Sequence, residues 1–293
     1  MSTWERKINL TMIVNVFRFQ FSKIRSNLIT FSLIVITACG AVYVGYRHNA
    51  MPQCLAYLFV MWLCSFLIDL YALKRPASSD FPVRNPKRET MFFLLSAVLG
   101  LAFLIIRFCF DWQNMNNMVR LALMPLIVFV FPIALAVIFL LLKYKPKDLG
   151  IRLHGLLIAL PIIAISALTN YLVSPGSLTW DAVVAEGGGI VGALFTGLIT
   201  AGLAEEFFRV IGQTRLGSLM RNNGMGWFIT TVIWALMHAP KWYGDGGDLT
   251  EALLGSIRII PLGLMWGYLT YRTKSILPST LVHGMNVWGL QNF

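Results

Sequence analysis

The chain alternates between long apolar runs and short polar segments. The apolar runs lie at about residues 28–46, 54–73, 91–110, 121–142, 154–173, 188–212, 227–242, 252–271 and 276–290. Most of them hold about 17–25 residues, which lets an α-helix cross about 30 Å of hydrocarbon. Because the last run is short, the pattern predicts an all-α, polytopic membrane helical bundle with eight or nine transmembrane helices.

The polar segments divide the chain into three parts. Residues 1–27 mix five basic residues with aromatic and aliphatic ones, which is typical of a basic amphipathic segment on an anionic membrane surface. Residues 28–146 carry few polar groups within their apolar runs, and we predict that they form an N-terminal transmembrane scaffold. Residues 147–293 collect Gly, Pro, His, Asn, Glu and Arg within theirs, and we predict that they form the functional core.

Composition and charge also indicate a membrane protein. Hydrophobic residues make up 57% of the chain, against about 45–50% in a soluble domain. With a cytoplasmic N-terminus, 18 of the 24 Lys and Arg residues, Arg215 and Arg221 among them, fall in inner segments and three fall in outer loops. This positive-inside distribution predicts that orientation, and it accounts for the net charge of +11 without a nucleic-acid partner.

Three charged residues lie within one of the apolar runs. Glu205, Glu206 and Arg209 occur between Gly197 and Gln213 among residues that are mostly apolar or small. A charge at this depth costs about 2.5–3.5 kcal/mol unless it is paired or hydrated. The two glutamates face different directions on a helix, so Arg209 can hold one carboxylate while the other accepts a proton. An ion pair that only stabilises the membrane fold is the alternative.

Two histidines and an asparagine are expected to reach the same depth. Glu205 and His283 lie about 10 Å, and His238 about 16 Å, below the cytoplasmic surface when residues are counted from the ends of their runs. His283 and Asn286 are three apart on a predicted short helix opened by Pro278, so they would share a face. A lone histidine such as His238 is also commonly a hydrogen-bonded tie between helices.

Together these groups suit hydrolysis of an amide bond. A base, a polarising imidazole and oxyanion donors are what such a reaction needs to use an activated water. Glu205, His238 and His283 could instead hold zinc. That reading is the weaker one, because no HExxH motif places two ligands on one helix face.

Several short motifs follow one another in the second half of the chain. They are Asp-Leu-Gly-Ile-Arg at 148–152, Glu-Glu-Phe-Phe-Arg at 205–209, an aromatic residue four before His238, the stretch from Gly263 to Arg272, and Ile-Leu-Pro-Ser-Thr-Leu-Val-His at 276–283. In these motifs the chain resembles the CPBP family of intramembrane proteases, which includes the type II CAAX prenyl endopeptidases and the bacterial Abi-type proteins. The resemblance implies that 147–293 is a catalytic core.

The resemblance also implies roles for individual residues. A glutamate, Glu205 or Glu206, and His238 would activate water, His283 and Asn286 would stabilise the oxyanion, and Arg209 would orient the carboxylates. The chain departs from the family pattern in two places. Only two residues separate Glu206 from Arg209 where the family has three, and Val287 stands where the family has its asparagine. A local π-bulge could absorb either shift.

The leading hypothesis is an intramembrane endopeptidase that cleaves a membrane-embedded or lipid-anchored peptide, prenylated or not. The expected location is a bacterial inner membrane, which the chain crosses several times. No cofactor is required if a glutamate activates the water, and zinc is the alternative. A catalytically inactive immunity or interaction protein of the same fold is the second hypothesis. A proton-coupled transporter ranks last, because the sequence has no inverted repeat.

Overall fold

A computed structural model describes residues 10–77, 80–173, 184–185, 187–286 and 289–293, and this part of the chain is helical and contains no strand. The helices used below are α1 (Leu10–Ser26), α2 (Leu28–Arg47), α3 (Met51–Lys74), α4 (Pro86–Cys109), α5 (Asn117–Leu123), α6 (Ile127–Val130), α7 (Ile133–Leu141), α8 (Leu156–Val173), α9 (Ile190–Phe195), α10 (Ala204–Leu219), α11 (Asn223–Leu236), α12 (Ala239–Gly244), α13 (Leu249–Thr273) and α14 (Leu277–Gly284). A π-helix, Thr196–Leu203, joins α9 to α10. The predicted all-α class is confirmed.

Six helices of the described chain are long and apolar enough to cross a membrane. They are α2, α3, α4, α8, the continuous helix Ile190–Leu219, and α13. A seventh candidate is the pair Asn117–Val130 and Ile133–Leu141, which is bent by 61° and corresponds to the predicted fourth run. The predicted runs 227–242 and 276–290 correspond to shorter helices, α11 with 14 residues and α14 with 8.

Helix α13 forms the centre of the bundle. Its membrane-length window is 78% buried, against 44% or less for the other candidate spans, and it contacts α2, α3, α10, α11, α12 and α14. Pro261 interrupts its hydrogen-bond ladder. The hydroxyl of Tyr57 on α3 bonds the backbone on both sides of this proline, because it accepts from the Leu262 N–H (2.8 Å) and donates to the Arg258 carbonyl (3.1 Å). These hydrogen bonds connect the scaffold to the core.

A buried aspartate makes a second hydrogen-bonded connection between the scaffold and the core. Asp69 on α3 is fully buried and accepts hydrogen bonds from the Tyr268 hydroxyl (2.6 Å) and the Gln20 amide (2.9 Å). The Arg272 guanidinium lies 3.1 Å from the same carboxylate. Since Gln20 belongs to α1 and the other two partners to α13, one carboxylate joins three helices.

A buried ion pair joins α4 to α10. The carboxylate of Glu89 accepts hydrogen bonds from the Arg215 Nε–H (3.2 Å), the Tyr144 hydroxyl (2.8 Å) and the Asn85 N–H (2.8 Å). The Arg215 guanidinium also lies 4.6 Å from the centre of the Phe139 ring. The sequence places Arg215 in the polar segment 213–226, but helix α10 continues to Leu219. Arg215 is fully buried in this helix, where it pairs with Glu89.

We expect Arg215→Ala to lower the free energy of unfolding in detergent by about 3 kcal/mol, since it leaves the Glu89 carboxylate buried without its cation. Arg88→Ala is a matched control, because Arg88 is exposed on the same helix as Glu89. It should change stability by less than about 0.5 kcal/mol. Chemical denaturation of both variants measures the difference, and equal stability of the two would contradict a structural role for the pair.

Candidate active site

The π-helix and α14 pack so closely that only glycine fits between them. A Cβ atom on Gly197 would lie 2.5 Å from the Gly284 carbonyl oxygen, and one on Gly202 would lie 2.6 Å from the Thr280 carbonyl oxygen. This is the close helix approach that small residues permit in a membrane protein. It brings His283, the residue before Gly284, against the start of α10, where the two glutamates lie.

Arg209 is enclosed and holds one of these glutamates. Its guanidinium pairs with the Glu206 carboxylate and donates to the Gly263 carbonyl at 2.8 Å. The rings of Trp234 and Trp266 lie 4.7 and 5.1 Å from its central carbon, so the cation is sandwiched between aromatic faces. Both Arg209 and Glu206 are essentially inaccessible to solvent. The structure thus shows which carboxylate the arginine holds.

Glu206 in turn orients His283. The His283 Nδ1 lies 2.9 Å from Glu206 Oε1, and Trp266 stacks on the imidazole with ring centres 3.8 Å apart. A carboxylate can only accept, so Nδ1 carries the hydrogen. The second nitrogen, Nε2, is left as an acceptor directed towards Glu205, which lies 3.6 Å away.

Glu205 points away from Arg209 and towards the histidines. Its Oε2 accepts a hydrogen bond from the Trp234 indole N–H (2.5 Å) and lies 3.8 Å from His238 Nε2. His238 Nδ1 lies 3.0 Å from the Trp234 carbonyl oxygen, and a carbonyl can only accept, so the hydrogen is on Nδ1 here too. The side chain of Glu205 is 26% exposed, whereas that of Glu206 is fully buried.

Three acceptor atoms therefore face one another at this site. They are Glu205 Oε2, His238 Nε2 and His283 Nε2, with each histidine turned by a hydrogen bond through its other nitrogen. Separations of 3.6 and 3.8 Å are too long for direct hydrogen bonds and short enough for one water to bridge. Such a water would donate both its hydrogens to these acceptors and keep a lone pair for attack.

A cavity of about 450 Å³ opens beside these acceptors. Trp234, His238 and His283 line it, and so does Asn286. The expectation that Asn286 shares a helix with His283 was wrong, because α14 ends at Gly284. Asn286 lies in the following turn, where its side-chain amide donates to the Gln291 side chain (3.2 Å). Val287 lies outside the described residues.

The π-helix does not lie between the glutamates and the arginine. It ends at Leu203, so Glu205, Glu206 and Arg209 all belong to the regular α-helix that follows. In that helix Arg209 pairs with Glu206, three residues before it, and not with Glu205, four residues before it. The i, i+3 spacing in this chain thus allows a direct ion pair within one regular helix.

Sequence analysis missed two tryptophans of the site. Trp234 was noted only as an aromatic residue before His238, yet its indole N–H bonds Glu205 and its carbonyl bonds His238. Trp266 covers both His283 and Arg209. A tryptophan within an apolar run is usually core, so only its polar N–H could have indicated a partner.

The same residues include the types of side chain that bind zinc. Carboxylate and imidazole are suitable zinc ligands, and atoms bound to one tetrahedral zinc at about 2.0–2.1 Å lie about 3.4 Å apart. The observed separations from Glu205 are 3.6 and 3.8 Å. Among the residues that the structure describes, no group of three or more His, Cys, Asp or Glu side chains is arranged to hold a metal ion. The two separations are therefore about 0.2 and 0.4 Å longer than one tetrahedral zinc ion requires.

Comparison with known proteins agrees with this geometry. Residues 187–289 match a family model described as type II CAAX prenyl endopeptidase, Rce1-like. Within this segment the chain is similar to the type II CAAX prenyl endopeptidases. Both glutamates, both histidines, Arg209, Asn286 and the two tryptophans lie within the matched segment. The six long apolar helices indicate an integral membrane protein. Neither a curated protein nor a solved structure matches the chain significantly.

Proposed function

We propose that the protein is an intramembrane endopeptidase that hydrolyses a peptide bond with a water activated by Glu205. The observation that carries this proposal is the group of three acceptors, Glu205 Oε2 and the Nε2 atoms of His238 and His283, beside a cavity of about 450 Å³. The family description supports a substrate anchored in the membrane, such as a prenylated C-terminal peptide.

The reaction would proceed in two proton transfers. The water oxygen attacks the peptide carbonyl carbon while its proton passes to Glu205, and a tetrahedral oxyanion forms. Glu205 then returns the proton to the leaving amine as the C–N bond breaks, which yields a carboxylic acid and an amine. His238 orients the water through Nε2, because its Nδ1 is fixed on the Trp234 carbonyl.

The remaining residues would act on charge and position. His283, with its Nδ1 held by Glu206, would orient the attacking water through Nε2. Asn286 would be the oxyanion donor, since it lines the same cavity. Arg209 would keep Glu206 ionised and in place. Glu206 is too enclosed to be the base, so this role is proposed for Glu205 alone.

We also propose a membrane topology with eight or nine crossings and a cytoplasmic N-terminus, in a bacterial inner membrane. The distribution of Lys and Arg between the segments supports this orientation. Residues 147–293 would then form the catalytic part and residues 28–146 the scaffold around it.

The direct test is cleavage of candidate peptides by purified protein in lipid vesicles, with new termini identified by mass spectrometry. Prenylated peptides, their unprenylated versions and transmembrane peptides would be compared. Cleavage that depends on Glu205 and His238 is the expected result. If no substrate class is cleaved, while a Glu205→Gln protein keeps its cellular effect at normal abundance, the protein is an inactive interaction protein of the same fold.

Metal removal is a separate prediction. Because a water activated by Glu205 needs no metal, we expect peptidase activity to fall by less than about twofold after extensive dialysis against a chelator. Elemental analysis of the dialysed protein would verify that zinc is gone. Loss of activity that added zinc restores would contradict the metal-free mechanism and assign Glu205, His238 and His283 as ligands.

A further inference from the structure

A second cavity, of about 550 Å³, shares none of its lining residues with the active site. Helices α1, α2, α11 and α13 enclose it. Its walls include the basic residues Lys23, Arg221 and Arg272, the hydroxyl-bearing Thr30, and the ring of Trp227. The mechanism proposed above uses none of these groups.

The cavity carries net positive charge. Asp69 compensates Arg272 at 3.1 Å and is the acidic group that the structure places beside the cavity wall. Lys23 and Arg221 are exposed, and neither takes part in an ion pair among the described residues. Asp69 also interacts with Lys23 at longer range. Three cations against one carboxylate still leave a net positive charge, which attracts an anion.

A buried hydroxyl points to a ligand at the same place. Thr30 is only 3% exposed, lines the cavity, and has no hydrogen-bond partner for its Oγ1. Leaving a buried hydroxyl unpaired is unfavourable, so a bound acceptor would complete it. The hydroxyl faces the start of α11, since a Cβ atom on Gly224 would lie 3.0 Å from it.

The first turn of α11 adds further donors. As the first two residues of a 14-residue helix, Asn223 and Gly224 carry backbone N–H groups with no acceptor within the helix. Helix N-termini of this kind bind phosphate through those groups and the helix dipole. Any side chain at 224 would approach the Asn27 and Asn222 oxygens to 3.3 Å as well as Thr30, so glycine leaves the turn open.

The cavity changes from polar to apolar along α2. Asn27 and Thr30 lie at its polar end, and Phe31 and Ile34 extend the lining by one turn along a helix apolar enough to span the membrane. A phosphate at the polar end would therefore leave attached acyl chains running along α2. A soluble anion has no apolar group that could pack against Phe31 and Ile34.

We propose that this cavity binds the phosphate headgroup of an anionic phospholipid. Lys23, Arg221, the Thr30 hydroxyl and the first N–H groups of α11 would hold the phosphate, with an acyl chain against Phe31 and Ile34. Because α1, α2, α11 and α13 all meet there, the bound lipid would contact both the N-terminal segment and the core and stabilise their packing. This proposal is independent of peptidase activity.

The test compares thermal stability and lipid retention of the full chain in detergent, with phosphatidylglycerol, phosphatidylcholine or inorganic phosphate added. The variants are Lys23→Gln/Arg221→Asn and Thr30→Val, with Lys87→Gln/Arg88→Gln as a control that removes two exposed charges elsewhere. Of the three additives, we expect only phosphatidylglycerol to raise the melting temperature. Native mass spectrometry should show its apparent affinity reduced about 10- to 30-fold in Lys23→Gln/Arg221→Asn and unchanged in the control.

Thr30→Val separates a ligand contact from a structural one. It should fold as well as the wild type without lipid, because it removes an unpartnered hydroxyl, yet bind phosphatidylglycerol about fivefold more weakly. Equal stabilisation by phosphatidylcholine would overturn the proposal, and so would an unchanged affinity in Lys23→Gln/Arg221→Asn. Inorganic phosphate that stabilises the protein as well as the lipid would assign the cavity to a soluble anion and overturn the lipid proposal.

Discussion

Glu205→Gln should lower peptidase turnover by about 10³-fold while leaving the fold intact. The side chain keeps its size, and its amide oxygen can still accept the Trp234 indole N–H. What is lost is a group that accepts a proton from the water between the two imidazoles. Single-turnover cleavage of a peptide in vesicles measures the effect, and circular dichroism with thermal unfolding monitors the fold.

Glu251→Gln is the matched control for this measurement. Glu251 is also a partly exposed carboxylate near basic groups, since it pairs with Arg47 and His48, but it lies outside the catalytic cavity. We expect its turnover to stay within about twofold of the wild type. If Glu205→Gln retained similar turnover, Glu205 would not be the base, and the carboxylate would serve only to bond Trp234.

Arg209→Met should be the most destabilising substitution at the site, with a loss of about 3–5 kcal/mol in the free energy of unfolding. Methionine keeps an apolar stem between Trp234 and Trp266, but it leaves Glu206 ionised and buried with His283 as its remaining partner. The lost cation–π contacts add to the cost. Denaturant or thermal unfolding in detergent would measure the change.

A double variant tests whether the unpaired charge is the cause. Glu206→Gln/Arg209→Met removes both charges, so most of the lost stability should return even though two polar contacts are gone. Arg209→Lys keeps the charge but lacks the planar guanidinium that reaches both Glu206 and the Gly263 carbonyl. It should therefore retain only part of the stability that Arg209→Met loses. If the single and double variants were equally unstable, loss of packing rather than an unpaired carboxylate would explain the effect.

The chemistry of the site was largely predictable from residue type and position. Charges within an apolar run are costly, so Glu205, Glu206 and Arg209 had to have partners, and the positions of His238 and His283 within their runs put them at a similar depth. The structure brings both histidines within 4 Å of Glu205. Asn286 reaches the same cavity by a turn rather than by the predicted helix.

Which glutamate pairs with Arg209 and which one stays open to the cavity was not predictable. Adjacent residues on a helix have similar depth and identical chemistry, and sequence spacing allowed Arg209 to pair with either one. Packing decides between them, because Trp234 and Trp266 fix the guanidinium where it reaches Glu206 and the Gly263 carbonyl. The roles of these tryptophans are likewise invisible along the chain, since Glu205, Arg209 and His283, which they contact, belong to other helices.

The sequence by itself determined the helical class, the membrane setting and the set of groups able to activate water, because local hydrophobicity and the cost of a buried charge act residue by residue. Only the tertiary structure decided which glutamate stays open to the cavity, which helices are too short to span by length alone, and that Arg215 is buried. These outcomes depend on contacts between helices far apart in the chain, and the free energy of such contacts is not encoded in any local pattern.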